Sequence, residues 1–316
     1  ELAKQMVSAA ASAGVDAIKL QTYTADSMTL NIDSDNFRIM EEGSLWHGQH
    51  LHELYQQAST PYEWHKPLFD FASELGLIAF SSPFDEAAVD FLESLNVPAY
   101  KVASFELTDT PLIQKVAKTG KPLIMSTGMA NLDEIHMALE ILFSKGLTKR
   151  EITLLHCTTE YPASFKNLNL RAMKTIKETF DIDIGYSDHS LRKEASIAAV
   201  ALGAKVIEKH FTLDRSLPGP DHAASLEPGE LSQMVDSIRM VEMALGNGEK
   251  VPHEVELVNR KAARKSVVAA KYIAEGEKFS ASNLLVKRPG TGRSPMEFWD
   301  LIGSSSLKCL DADDFV

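Results

Sequence analysis

The sequence is poor in cysteine, in long apolar runs and in positive charge. Only two cysteines, Cys157 and Cys309, occur in 316 residues, and their wide separation argues against a disulfide framework and favours a reducing compartment. We therefore expect a cytoplasmic protein. No apolar run approaches the roughly 20 residues of a membrane span, so no membrane partner is expected. The net charge of −12 argues against a nucleic-acid partner.

Short apolar segments alternate with helical patterns as far as residue 245. Seven segments suit buried parallel strands: Ala17–Leu20, Leu77–Ser81, Ala99–Ala103, Pro122–Met125, Ile152–Leu155, Ile182–Tyr186 and Ala204–Ile207. This alternation is typical of parallel βαβ units. Seven strands are one short of a closed barrel, and the chain begins inside a helix pattern. We therefore predict a TIM (β/α)8 barrel lacking its first strand, with a gap between the strands at Ala17 and Ala204.

The composition changes after residue 245. Residues 246–262 are polar, contain Pro252 and are predicted to form a linker. Residues 263–316 contain short strand-like pieces and turn sequences, which predict a small β-rich domain. A domain of about fifty residues is marginal by itself, so we expect it to pack on a partner surface. The catalytic barrel would then comprise residues 1–245.

Several conspicuous side chains have structural explanations. Residues 22–44 are polar and irregular and predict a long loop, and we interpret Trp46, Tyr62 and Trp64 as packing beneath it. His156 and Cys157 are adjacent on a predicted strand, so their side chains point to opposite faces and cannot form a nucleophile–base dyad. We interpret Cys157 as a packed small apolar residue.

Polar side chains follow the predicted strands at the end where barrels place their active sites. The candidates are Lys19, Gln21, Ser82, Lys101, Ser104, Glu106, Ser126, Ser187, His189, Glu208 and His210. Two lysines and several hydroxyls at one mouth would bind a phosphate or a carboxylate. The alternative for Lys19 and Lys101 is a structural salt bridge with Glu106 or Glu208.

His189 and His210 each come directly after a predicted strand. Two neutral imidazoles on neighbouring strand ends could hold a divalent metal and leave positions open for substrate. The alternative is ordinary strand-end hydrogen bonding, because two histidines separated by a helix are a weak pattern. From its position in a Pro-Gly loop alone, we interpret Arg288 as a solvated charge.

Eight short motifs occur in an order that carries a family resemblance. They are Ser82-Pro83-Phe84-Asp85, Tyr100 to Glu106, Ser126 to Met129, His156-Cys157-Thr158, Tyr161-Pro162, Ser187-Asp188-His189, Glu208 to Phe211 and Gly219-Pro220-Asp221. Over essentially the whole chain they resemble the sialic acid synthase family, and the tail from Arg264 resembles its antifreeze-like SAF (β-clip) domain. The segment Leu54 to Trp64, together with Ser104-Phe105-Glu106, is most similar to the pseudaminic acid synthase branch.

This resemblance implies the condensation of phosphoenolpyruvate with an acetamido hexose, giving a nonulosonic acid and phosphate. It implies a divalent metal, Mn²⁺ or Mg²⁺, on His189 and His210. The implied phosphoenolpyruvate site comprises Lys19, Ser82, Lys101, Ser104, Ser126 and Ser187. The implied sugar site comprises Gln21, Glu106, Tyr161, Asp221 and Arg288, and the implied catalytic residues are Glu106, His189, His210 and Lys101. Arg288 would reach the other subunit of a domain-swapped homodimer, which replaces its interpretation as a solvated charge.

The branch resemblance favours 2,4-diacetamido-2,4,6-trideoxy-L-altrose as the sugar and pseudaminic acid as the product. Phe105 and Thr159 stand where sialic acid synthases proper tend to carry Gly and Asn, which disfavours N-acetylmannosamine. N-acetylneuraminate or legionaminate synthesis is the alternative within the family. Members also carry an acidic residue and an Asn-His motif around the first strand, so we expect part of the site to be missing from this sequence.

Two other classes of function compete with this interpretation. A metal-dependent phosphoester hydrolase on a barrel would be expected to have more carboxylate and histidine ligands than two histidines. A non-catalytic carbohydrate-binding protein is suggested by the small tail domain alone. Neither explains Lys19, Lys101 and the series of serines.

Overall fold

A parallel β-sheet with helices between its strands makes up residues 1–246 of the computed structural model, which describes residues 1–40 and 46–316. The strands are β1 (Ala17–Thr22), β2 (Ile78–Pro83), β3 (Tyr100–Val102), β4 (Leu123–Ser126), β5 (Ile152–Cys157), β6 (Asp183–Asp188) and β7 (Ile207–Lys209). The helices are α1 (Leu2–Ser12), α2 (Ala25–Met28), α3 (Leu51–Ala58), α4 (Tyr62–Glu74), α5 (Glu86–Ser94), α6 (Thr110–Ala117), α7 (Leu132–Ser144), α8 (Ala172–Phe180), α9 (Glu194–Ala201) and α10 (Pro228–Leu245).

The seven strands follow one another across the sheet in chain order, each parallel to its neighbours. The strands β1 and β7 lie at opposite edges of the sheet, yet Lys19 on β1 and Glu208 on β7 form a salt bridge of 2.8 Å. This short distance shows that the sheet curls. No further strand lies between β1 and β7 in the ranges 1–40 and 46–316. This arrangement confirms the incomplete TIM-type barrel and its predicted gap.

Several strands continue further than their apolar pattern predicts. The pattern places strand ends at Leu20 and Tyr186, whereas β1 continues to Thr22 and β6 to Asp188. Backbone pairing does not require apolar side chains, and at the barrel mouth the inward positions of a strand are polar. Gln21 and Ser187 therefore lie within strands and not after them.

The core lies between the sheet and the surrounding helices. Leu92 on α5, Ile113 on α6 and Leu139 on α7 are buried against Tyr100 and Val102 of β3. These helices present apolar residues at helical spacing, which drives them onto the sheet. No helix in the described ranges is long and apolar enough to cross a membrane.

Gly185 on β6 allows a close approach that a side chain would prevent. A Cβ at this position would lie 2.4 Å from the carbonyl oxygen of Val206, just before β7. The contact accompanies backbone hydrogen bonds from Tyr186 to Val206 and from Lys205 to Ile184, at 2.8 and 2.7 Å. Glycine here therefore lets β7 join the sheet.

The predicted loop over residues 22–44 is partly wrong. Helix α2 begins inside it with a capping box between Thr24 and Ser27, and a 3-10 turn follows at Asp35–Phe37. Residues 41–44 of the prediction lie outside the described residues. Local hydrogen bonding by short polar side chains thus produces helical turns that an apolar periodicity does not reveal.

Residues 247–316 form the second unit. Strands β8 (Ser266–Ala269) and β9 (Leu284–Lys287) pair antiparallel, and the apolar core includes Val267, Ile273 and Leu310. Two helices, α11 (Glu254–Ala263) and α12 (Phe298–Leu301), complete it. The segment predicted as a linker, residues 246–262, contains most of helix α11, which begins at a capping box between His253 and Glu256.

Candidate active site

The predicted site residues of the barrel lie at the carboxyl ends of its strands. Lys19 and Gln21 are on β1, Ser82 on β2, Lys101 on β3, Ser126 on β4 and Ser187 on β6, while Ser104, Glu106, Tyr161, His189, His210 and Asp221 lie in the segments that follow strands. Arg288 lies in the second unit, where its Nε donates to the carbonyl oxygen of Ala263 at 2.7 Å.

Glu208 on β7 joins the two predicted lysines. Its carboxylate lies 2.8 Å from the Nζ of Lys19 and 3.4 Å from the Nζ of Lys101, and it accepts a hydrogen bond of 2.7 Å from Ser187. Lys101 is 1% exposed. The predicted alternative of a salt bridge to Glu208 is therefore correct, and it coexists with the clustering of both lysines at the mouth.

Burial and the neighbouring charges set the ionisation of this cluster. Burial alone would raise the pKa of Glu208, but Lys101 and Lys19 hold it well below its usual range. Burial lowers the pKa of Lys101 to about 8, against the opposing effect of Glu208. Near neutral pH the cluster thus holds two ammonium groups and one carboxylate, which leaves one net positive charge for an anionic ligand.

Two serine hydroxyls and a carboxylate oxygen of the predicted site are buried without a partner. Ser82 Oγ, Ser126 Oγ and Glu106 Oε2 are buried and make no hydrogen bond within the described parts of the chain. Buried polar atoms are normally paired, so unpaired hydroxyls beside Lys101 indicate where a ligand's oxygen atoms would bind.

Ser104 is held by the segment after β4. The N–H of Gly128 donates to Ser104 Oγ at 3.0 Å. A Cβ at Gly128 would lie 2.7 Å from Thr159 Cγ2 and 2.8 Å from Ser104 Oγ. Glycine at 128 is therefore needed for Ser104 and Thr159 to approach the same point.

His189 and His210 meet at the same mouth, with ring centroids 5.3 Å apart. The Nδ1 of His189 lies 2.7 Å from the carbonyl oxygen of Thr158. A carbonyl can only accept, so Nδ1 carries the proton and Nε2 keeps its lone pair. Tyr161 stacks on His189 at 4.1 Å and meets His210 edge-on at 5.8 Å.

Both imidazoles are neutral at physiological pH. Burial, followed by the neighbouring His210, lowers the pKa of His189 to about 4. Burial, followed by Lys19, lowers the pKa of His210 to about 4 as well. These are the states that metal ligation requires, and a His whose second nitrogen donates to a carbonyl is typical of metal ligands.

The residues present fit a divalent metal with few protein ligands. No group of three or more His, Cys, Asp or Glu side chains is placed to hold a metal among residues 1–40 and 46–316. A cation between His189 and His210 would consequently take its remaining ligands from substrate or water. A carboxylate also lies against one of the rings, because Asp221 Oδ2 is 3.8 Å from His210 Nδ1.

Glu106 has an ionisation suited to proton transfer. Burial raises the pKa of its carboxyl to about 7, partly offset by Lys101. A group with a pKa near the working pH can hold and release a proton efficiently.

Two residues of the mouth, Cys157 and Trp46, were not predicted as site residues. Glu208 is among the predicted strand-end candidates, with a salt bridge to a lysine as its predicted role, and alternation along β7 places it on the same face as His210. Cys157, interpreted as packing, lies with its Sγ 3.8 Å from His189 Nδ1. Trp46, interpreted as loop packing, contacts Tyr161 at 5.8 Å and donates to the carbonyl oxygen of Pro220 at 2.9 Å. No local sequence pattern signals the contacts of Trp46.

The excluded His156–Cys157 dyad is absent from the described structure. His156 faces away from the mouth, where its Nε2 lies 2.7 Å from the carbonyl oxygen of Leu168 and its ring stacks on Tyr186. The strand alternation that excludes the dyad is therefore correct, and it is also what turns Cys157 towards His189.

Fold and site together define a class of protein, an α/β-barrel enzyme with two lysines and two histidines at its mouth. More particularly, the chain belongs to the NeuB family, whose model matches residues 6–250, and an SAF domain follows at residues 264–313. This confirms the resemblance to sialic acid synthases.

Relatives are similar to the chain over nearly its whole length. It is 43% identical to the pseudaminic acid synthase of Campylobacter jejuni, covering 99% of this chain and 90% of that protein. It is 41% identical to the N,N'-diacetyllegionaminic acid synthase of the same species, covering 100% and 94%. The crystal structure of N-acetylneuraminic acid synthetase from Leptospira borgpetersenii superposes with a TM-score of 0.71 at 31% identity, covering 82% and 84%.

Replacing Glu208 with Gln should destabilise the barrel and strengthen anion binding. The change leaves two lysines without their carboxylate, which should cost about 2–4 kcal/mol of unfolding free energy for a partly exposed pair. Inorganic phosphate should raise the unfolding temperature of the variant more than that of the wild type, because the carboxylate that competes with phosphate for the two lysines is gone.

Asp70→Asn is the control, because the Lys66–Asp70 pair on α4 is exposed and should contribute less than about 0.5 kcal/mol. Thermal unfolding with and without phosphate measures both effects. Equal stability and equal phosphate response in Glu208→Gln and the wild type would contradict the electrostatic description of the site.

Proposed function

We propose that this chain condenses phosphoenolpyruvate with an acetamido hexose to give a nonulosonic acid and inorganic phosphate. One observation carries the proposal: the Lys19–Glu208–Lys101 cluster shares its barrel mouth with neutral His189 and His210, in a chain of the NeuB family. The cluster fits an anionic substrate, and the histidines fit the activation of a carbonyl beside it.

Phosphoenolpyruvate brings a carboxylate and a phosphate to one small molecule. Lys19 and Lys101 would bind these groups as point charges. The unpaired hydroxyls of Ser82 and Ser126 would donate to its oxygen atoms. Two further hydroxyls, from Ser104 and Ser187, lie at the same mouth and would complete the predicted phosphoenolpyruvate site.

In the reaction, C3 of phosphoenolpyruvate forms a bond to the aldehyde carbon of the sugar, and the aldehyde oxygen takes up a proton. Water then adds to C2, and the bond between C2 and the phosphate oxygen breaks to release phosphate. Glu106, with a pKa of about 7, would exchange a proton with the sugar oxygen near neutral pH. Gln21, Tyr161 and Asp221 would orient the sugar.

His189 and His210 would hold Mn²⁺ or Mg²⁺, which when bound would act as a Lewis acid on the aldehyde carbonyl. The chain keeps both imidazoles neutral through burial. The carbonyl of Thr158 fixes the tautomer and orientation of His189. Tyr161 packs on both rings and limits their rotation.

We also propose a domain-swapped homodimer in which Arg288 reaches the sugar site of the other subunit. Helix α11 supports an association between chains, since none of its residues is buried. Val255 and Val258 on it are 81% and 75% exposed, and Val251 before it is 56% exposed. Two free cysteines suit a reducing compartment, and we place the reaction in the cytoplasm.

For the sugar we propose 2,4-diacetamido-2,4,6-trideoxy-L-altrose, with pseudaminic acid as the product. Phe105, next to Glu106, is 57% exposed at the mouth and offers an apolar surface to the C6 methyl and a second acetamido group. Legionaminate synthesis is the second candidate, because the legionaminic acid synthase relative is almost as similar at 41% identity.

Phosphate release should require phosphoenolpyruvate and an aldehyde sugar together, with a divalent metal present. His189→Ala or His210→Ala should lower it on the order of a hundredfold or more, since carbonyl polarisation contributes several kcal/mol. His136→Ala on the exposed face of α7 is the control and should leave the rate unchanged. Release from phosphoenolpyruvate alone would instead indicate a hydrolase, and no release with any sugar would indicate a binding protein.

The ratio of kcat/KM values for the diacetamido trideoxy sugar and N-acetylmannosamine tests the choice of sugar. The wild type should favour the diacetamido sugar, and Phe105→Gly should reduce that preference about tenfold, the effect of losing contact with one methyl group. Phe165→Ala, a change at another exposed phenylalanine, should not alter the ratio. A wild-type preference for N-acetylmannosamine would refute the assignment.

A further inference from the structure

We infer that the buried Asp188–Lys209 ion pair fixes the register of β7 against β6. It thereby positions His189, His210 and Glu208 at the barrel mouth. The inference rests on the proposed function, because it concerns residues proposed to hold the metal and phosphoenolpyruvate. Lys209 Nζ lies 2.9 Å from Asp188 Oδ2, and the two side chains are 4% and 0% exposed. Neither residue has a role in the reaction described above.

The pair lies on the outer face of the sheet, directly behind the reaction site. Ser187 and Glu208 are register partners and contact each other on the inner face. Asp188 and Lys209 are the next register partners, so alternation turns them outward. Each is followed by one of the two histidines, and the ion pair is therefore the last cross-strand contact before His189 and His210.

Hydrogen bonds around the pair also hold the chain on both sides of His189. Asp188 accepts from the N–H of Ser190 at 2.9 Å and from the hydroxyl of Ser196 on α9 at 2.6 Å. Lys209 donates to the carbonyl oxygen of Ser190 as well as pairing with Asp188. The backbone that carries His189 is thus fixed to β7 and to α9.

Strand β7 needs such a device because little else fixes its register. It has three residues, three register pairs with β6, and a strand neighbour on one side only within the part of the chain that is described. A slip by one residue would reverse its faces. Lys209 would then enter the mouth as a third cation beside Lys19 and Lys101, and Glu208 would leave it.

Stability alone does not account for the pair. A buried ion pair stabilises a protein little compared with apolar residues of similar volume, and its attested advantage is to select one register. Here the alternative register would place like charges together at the mouth. The pair therefore acts through Glu208 and the histidines, as positioning residues and not as catalytic ones.

The test compares metal affinity with stability in the full chain. Asp188→Leu/Lys209→Met leaves no unpaired charge but removes the acceptor of the Ser190 N–H and the Ser196 hydroxyl, so the thermal unfolding midpoint should fall while the chain still folds. The dissociation constant for Mn²⁺, measured by calorimetry without substrate, should rise about tenfold or more, the usual effect of losing a group that orients a metal ligand. A merely structural pair would lower the midpoint and leave the affinity of the folded protein unchanged.

Two further variants keep the test decisive. Asp16→Asn/Arg239→Gln removes the ion pair between Asp16 and α10, which is more exposed, and should leave Mn²⁺ affinity unchanged. If the double variant at 188 and 209 does not fold, Asp188→Asn should show the same loss of affinity, because it keeps the shape and removes only the charge. Wild-type Mn²⁺ affinity in the folded variant would overturn the inference, whereas failure of the wild type to bind Mn²⁺ would overturn the proposed metal site itself.

Discussion

The carboxylate of Glu208 is the interaction on which the rest of the mouth depends. It is shared by Lys19 on β1, Lys101 on β3 and Ser187 on β6, so a single group links three strands to β7 across the open side of the sheet. Without it, two ammonium groups would face each other in a buried site. Its charge allows Lys101 to stay buried and Lys19 to stay half-buried, and it leaves one net positive charge for a ligand.

The same arrangement separates the ionisation states of neighbouring groups. The two lysines keep Glu208 ionised, while burial and nearby positive charge keep His189 and His210 neutral. Burial raises the pKa of Glu106 to about 7, because Lys101 offsets only part of that effect. The barrel mouth therefore contains one ionised carboxylate, two neutral imidazoles and one carboxyl group that can exchange a proton near neutral pH. Groups with such divergent ionisation are typical of functional sites.

Local sequence patterns predict the strands of the barrel, but they do not predict the side-chain contacts between residues far apart in the chain. Buried strands leave apolar runs, so the seven strands and the positions of His189 and His210 directly after two of them could be predicted. The pairing of Glu208 with both lysines depends on the curl of the sheet, and no local pattern encodes it. Trp46 contacts residues far away in the chain, and α11 begins at a capping box within a polar segment.

A crystal structure of the chain soaked with Mn²⁺ and phosphoenolpyruvate tests the central claim most directly, that histidines and lysines converge on one reaction site. Anomalous scattering should place manganese within bonding distance of ring nitrogens of both His189 and His210. The phosphate and carboxylate of phosphoenolpyruvate should contact Lys19, Lys101 and the hydroxyls of Ser82 and Ser126. Manganese bound elsewhere, or phosphoenolpyruvate bound away from the two lysines, would contradict the account.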